Sequence, residues 1–82
     1  MRIEQLRAAR GLLGWSQTKL ASEAGVSLPT VKRVEEGSDI KVSDEARNKL
    51  RRALERNGVE FIEENGGGPG VRLRKRAKGA RS

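Results

Sequence analysis

Residues 16–37 read "SQTKLASEAGVSLPTVKRVEEG", two short helical patterns on either side of one glycine. Ser16 sits where a hydroxyl can accept an unpaired backbone N–H at a helix start. Leu20, Ala21 and Ala24 then recur on one side of a helix. Gly25 suits the left-handed conformation that ends a helix, and Val26 turns inward after it. Ser27 caps a second helix over residues 28–36. Pro29 is tolerated in its first turn, because the N–H that proline lacks would have no helical partner there. Val31 and Val34 lock this helix onto the first, and Gly37 stops it. Leu28, Pro29, Thr30, Lys32, Arg33 and Glu36 remain off the packed face. A tight turn followed by a helix with an unburied polar and basic face needs an explanation beyond packing.

Two helices joined this way form a helix-turn-helix. The second helix fits the DNA major groove, which is wide enough for one helix. The flanks extend the pattern. Ile3, Leu6, Ala9 and Leu13 make an apolar stripe on a helix that ends at Gly14. Ser43 caps a fourth helix, with Asp44 and Glu45 at its positive end. Ala46, Leu50, Ala53 and Leu54 form its stripe, Arg51, Arg52 and Arg56 lie toward its C-terminal end, and Asn57 and Gly58 close it. The loop "SDIKV" (38–42) holds one residue expected to be buried, Ile40.

After Gly58 the period changes. "VEFIEE" and "VRLR" alternate apolar and charged residues around "NGGGPG", the pattern of a β-hairpin. Val59, Phe61, Val71 and Leu73 share one face, and Glu60 and Glu64 oppose Arg72 and Arg74 on the other. Ile62 falls on the charged face. A lone hairpin is marginal in water, so it must pack on the helices or pair with a second copy. Val59, Phe61, Ile62, Val71 and Leu73 are the expected dimerisation residues. The expected organisation is mainly α: a compact four-helix DNA-binding unit over residues 1–57, a β-hairpin over 58–74 and a basic, disordered tail over 75–82.

The net charge of +7 is uneven. Residues 1–70 carry twelve Lys/Arg and eleven Asp/Glu, whereas residues 71–82 carry six Lys/Arg and no acid. A basic tail attracts polyanions without choosing among them, and non-specific DNA affinity is its expected role. The 82 residues include no cysteine and no histidine. That removes disulfides, thiolate chemistry and the common zinc sites. No apolar run approaches the roughly 20 residues of a membrane helix. The reading is therefore of a cytoplasmic, nucleoid-associated protein without metal or cofactor, and not an enzyme. Glu35 and Glu36 have no neighbours that complete an acid–base site. "NGGGPG" lacks the Gly-Lys-Ser/Thr ending of a phosphate loop. Only Trp15 and Phe61 are aromatic, too few for stacking single-stranded bases.

The spaced set Gln17, Leu20, Ala21, Gly25, Val26, Ser27, Val31, Val34, Glu35 and Gly37 resembles the helix-turn-helix of the phage-repressor/Cro-like, or XRE, family. The resemblance covers residues 3–57. It implies that Gln17 bonds a DNA phosphate and that Ser27, Leu28, Pro29, Thr30, Lys32 and Arg33 belong to the recognition helix. Positions 28, 29 and 33 would face base edges, with Arg33 reading a guanine. Thr30 would bond phosphate, Lys32 phosphate or base, and Lys41 the DNA backbone or minor groove. Leu28 and Pro29 depart from the polar residues often found there, which shifts readout toward DNA shape. The resemblance also implies a structural ion pair between Arg10 and Glu35. The function it implies is a dimeric repressor that binds an inverted repeat in double-stranded DNA. The alternative is an antitoxin whose C-terminal segment holds a small protein partner.

Overall fold

The computed structural model describes residues 1–37 and 42–74. The expectations for Ile40, Lys41 and the basic tail lie outside the described residues. Four helices are followed by one hairpin: α1 Ile3–Leu13, α2 Gln17–Ala24, α3 Leu28–Glu36, α4 Asp44–Arg56, β1 Val59–Ile62 and β2 Gly70–Leu73. Three serines start helices as their positions suggest. Ser16, Ser27 and Ser43 accept the backbone N–H of Lys19, Thr30 and Ala46 respectively, each satisfying one donor that the helix leaves unpaired.

Two of the glycines are required by geometry. Gly25 turns α2 into α3 at φ 72°, and its N–H closes back on the Ala21 and Ser22 carbonyls. Gly37 ends α3 at φ 70°. A Cβ there would lie 3.1 Å from Ile3 Cδ1, so a side chain meets both backbone strain and a neighbour.

The core draws on every helix and on β1. Leu6, Leu20, Val31, Leu50, Leu54 and Val59 are fully buried, and Ala9, Ala21, Ala24, Val34, Ala53 and Phe61 complete the cluster. Ala21 and Ala24 are small where α2 meets α3 and α4, which lets the backbones approach.

The strands pair antiparallel with Val59 opposite Leu73, Glu60 opposite Arg72, and Phe61 opposite Val71. Of the two ways to stabilise a hairpin, packing on the helices is the one present. Val59 and Phe61, expected at a dimer interface, are buried in the single chain. Both side chains are spent in the chain's own core and offer no area to a second copy while the hairpin stays docked. Val71 and Ile62 are half-buried, and Leu73 is 49% exposed. The charge pairing is corrected in part. Glu60 does pair with Arg72 at 2.9 Å. Glu64, however, lies past the end of β1 and reaches Arg2 at 2.7 Å, while the Arg74 guanidinium donates to the Glu55 carbonyl.

The contact that seats the hairpin was not anticipated. Gln5 on α1 is 3% exposed. Its amide nitrogen donates to the Ile62 carbonyl at 3.2 Å and the Gly70 carbonyl at 3.0 Å, one on each strand. Its oxygen accepts the Arg2 backbone N–H at 2.7 Å. One buried amide thus joins both strands to the start of α1, with its donors and acceptor used. The chain just past β1 is held as well, by Arg2–Glu64 and by Arg51–Glu63 at 3.2 Å. Arg51 also lies over the Phe61 ring at 5.0 Å, an arrangement that favours the cation.

Gln5→Ala should destabilise the protein by about 1–3 kcal/mol, the cost of leaving buried polar groups without partners. Denaturant unfolding measures the loss, and amide exchange should quicken first in residues 59–62 and 70–73. Unchanged exchange there would mean that Gln5 does not seat the hairpin.

Candidate nucleic-acid interface

The short turn at Gly25 fixes α3 against α2, and burial divides α3 into two faces. Val31, Val34 and Glu35 are buried, while Pro29, Lys32, Arg33 and Glu36 are exposed. Leu28 is half-buried and packs partly against the core, so only part of its surface is presented outward. Neither Lys32 nor Arg33 pairs with a carboxylate among the described residues. Two cations on an exposed helix face, with no carboxylate partner among the described residues, suit an anionic partner.

At the start of α3 the Ser27 and Thr30 hydroxyls lie 2.8 Å apart, and Ser27 Oγ also accepts the Thr30 backbone N–H. Only one of the two hydroxyl hydrogens is consumed between them. The other remains for an outside acceptor such as a phosphate oxygen. Gln17, the first residue of α2, is half-buried. Its amide nitrogen donates to Glu35 Oε1 at 3.0 Å, so the side chain is held inward by at least one bond. The opening turn of α2 still presents backbone N–H groups at a positive helix end, which suits a phosphate.

Beneath this surface lies the Arg10–Glu35 pair. Arg10 grips the carboxylate with two nitrogens, Nε at 2.8 Å and Nη2 at 3.0 Å. Its Nη1 donates to the Trp15 carbonyl at 3.0 Å. Arg7 donates to the Glu35 main-chain carbonyl. Glu35 therefore collects α1 through Arg10 and Arg7, and α2 through Gln17. Trp15 is half-buried at the edge of the core, with Lys19 Nζ 5.8 Å from its ring centre.

Burial by itself pushes the Glu35 carboxyl upward. The hydrogen bonds from Arg10 and Gln17, with the charges of Arg10 and Arg7, outweigh it and hold the group below its ordinary value of 4.5. A carboxyl depressed by folding adds stability that is present above its unfolded pKa and is lost as pH falls through its folded pKa.

Sequence reasoning did not identify Arg7 or Gln5. Arg7 is an exposed charge on α1, and nothing in the spacing shows that its reach ends on a carbonyl. Gln5 carried a faint signal, a polar residue beside Leu6 at the edge of the apolar stripe. Among the described residues no group of His, Cys, Asp and Glu could hold a metal ion. None of the described helices is long and apolar enough to cross a membrane.

A two-sided α3 set after a glycine turn and braced by an ion pair to α1 defines a helix-turn-helix protein built to meet DNA. The family comparison agrees. The helix-turn-helix family model matches residues 6–61, and the chain belongs to this XRE-type family of DNA-binding transcription regulators. No curated relative matches the chain closely enough to count.

Arg10→Ala should cost about 3–5 kcal/mol, because it leaves the buried Glu35 charge without its main partner. Wild-type stability should fall as pH drops below about 4.5, and Glu35→Gln should remove part of that dependence. Denaturant unfolding at a series of pH values measures both. A Glu35→Gln profile that tracks wild type would show that other carboxylates govern the acid limb.

Proposed function

We propose that the protein is a dimeric, sequence-specific repressor that reads an inverted repeat in double-stranded DNA through α3. The observation that carries this reading is the division of α3, with Val31, Val34 and Glu35 inward and Pro29, Lys32 and Arg33 outward. Arg33 is the base reader, because its guanidinium can bond the two acceptors on a guanine edge. Pro29 and the exposed part of Leu28 contact thymine methyls or the groove wall. Ser27, Thr30, Gln17 and Lys32 contact phosphates, as does Lys41. Four short side chains near the helix start leave few base hydrogen bonds, so DNA shape contributes to selectivity. Repression follows from occupancy of the site, which blocks polymerase.

The dimer is proposed to form along the open edge of β2. The Arg74 N–H donates to the Gly58 carbonyl at 2.7 Å. Narrow and wide pairs alternate in an antiparallel ladder. The backbone groups of Val71 and Leu73 therefore point away from β1. An unpaired strand edge beside a half-exposed Leu73 suits an antiparallel copy of itself. Such a dimer would carry two recognition helices, and half-sites about one DNA turn, roughly 34 Å, apart are expected.

Selection of bound sequences from random duplex DNA tests the reading. A palindromic motif is expected, and an absence of enrichment would overturn sequence-specific recognition. Arg33→Ala should weaken binding to the selected site by about 1–3 kcal/mol and relax preference at one base pair. An equal loss on random duplex would make Arg33 a phosphate contact. Leu73→Asp should leave the fold intact, since the side chain is exposed, yet shift sedimentation from dimer to monomer. An unchanged dimer would place the interface elsewhere.

A further inference from the structure

The arginines at the two ends of the hairpin differ in their partners. Around the hairpin loop they have carboxylate partners, Arg2 on Glu64 and Arg51 on Glu63 and Glu55. At the opposite end of the hairpin, where α4 and β2 both finish, they do not. Arg52, Arg56 and Arg74 are exposed, and none makes an ion pair among the described residues. Glu60, the nearby carboxylate on β1, is engaged by Arg72.

Two of these arginines are nonetheless held in place. Arg56 Nη2 donates to the Glu23 carbonyl in the last turn of α2 at 3.1 Å. Arg74 Nη2 donates to the Glu55 carbonyl in the last turn of α4 at 3.1 Å. Helix C-terminal ends attract cations, so the carbonyls anchor both side chains without neutralising them. A guanidinium has five N–H donors. Each anchor uses one and leaves the rest for another acceptor. Arg52 lies one turn before Arg56 on the exposed side of α4.

The anchoring also fixes where this corner sits. Glu23 lies two residues before Gly25, and Ser27 starts α3 two residues later. The cationic corner therefore borders the turn that leads into the recognition helix. The chain leaves the corner at Arg74 with residues 75–82, which hold four more Lys/Arg and no acid.

We propose that Arg52, Arg56 and Arg74 form a second DNA-contacting surface, which grips phosphates of the duplex flanking the base pairs that α3 reads. The proposal rests on α3 being the reading helix. The corner supplies affinity and no sequence preference, because charged contacts to phosphate are independent of base identity.

The test uses the full chain with a labelled duplex, both the selected sequence and a random one, titrated from 50 to 200 mM salt. Each lost phosphate contact flattens the log–log salt dependence by about 0.9. For the triple change Arg52→Gln, Arg56→Gln and Arg74→Gln, the loss of affinity across that range should shrink by about 40-fold on both duplexes. Arg56 and Arg74 also hold helix ends, so Arg52→Gln alone is the control that leaves every intramolecular bond in place. It should reduce the same ratio by about 3–4-fold. The triple Arg→Lys variant should keep the wild-type slope. A wild-type slope in both Gln variants would overturn the proposal, as would a change in sequence preference. If Arg33→Ala lowered affinity equally on both duplexes, the reading of α3 would fail instead, and the two failures are separable.

Discussion

The grip of Arg10 on Glu35 is the contact on which the DNA-facing geometry depends. A chain this short can bury only a limited apolar area. Small residues at the helix crossings provide close approach but little directional information. The two-pronged ion pair supplies direction. It fixes the angle of α3 to α1, and the bond from Gln17 brings the first turn of α2 into the same arrangement. A buried carboxylate is costly unless every lone pair is met. Here Arg10, Gln17 and the charge of Arg7 meet that demand, and the depressed carboxyl is the result. The recognition face is thus set from behind, by the polar groups gathered on Glu35.

The hairpin obeys the same logic at the other side of the core. Val59 and Phe61 fill space that the four helices leave open. Apolar burial alone does not choose where along the helices a two-stranded unit sits. Gln5 makes that choice by bonding a carbonyl on each strand. The end of β2 is then held near the end of α4, and the chain's most cationic stretch leaves from the side of the molecule that borders the turn into α3.

The helix-turn-helix was legible because each boundary is encoded locally. Serine caps, glycine stops and a 3.6-residue apolar period need no knowledge of distant chain. The alternating pattern after Gly58 and the opposition of Glu60 to Arg72 were legible for the same reason. Contacts made by long polar side chains across the sequence were not. Gln5 is 57 and 65 residues from its acceptors, and Arg56 is 33 residues from Glu23. Periodicity says which way such a side chain leaves its helix but not which carbonyl it finds.

The sequence by itself determined the elements, the turn between α2 and α3, the split of α3 into packed and open faces, and the family. These follow from backbone preferences and apolar spacing, which act over one or two turns. Only the tertiary structure decided how the hairpin is used. The alternation offered Val59 and Phe61 equally to the helices or to another copy. In the folded chain both lie in one buried cluster with Leu6, Leu50 and Leu54. What that leaves on the surface, Leu73 and an unpaired strand edge, is a consequence of the docking and could not be read before it.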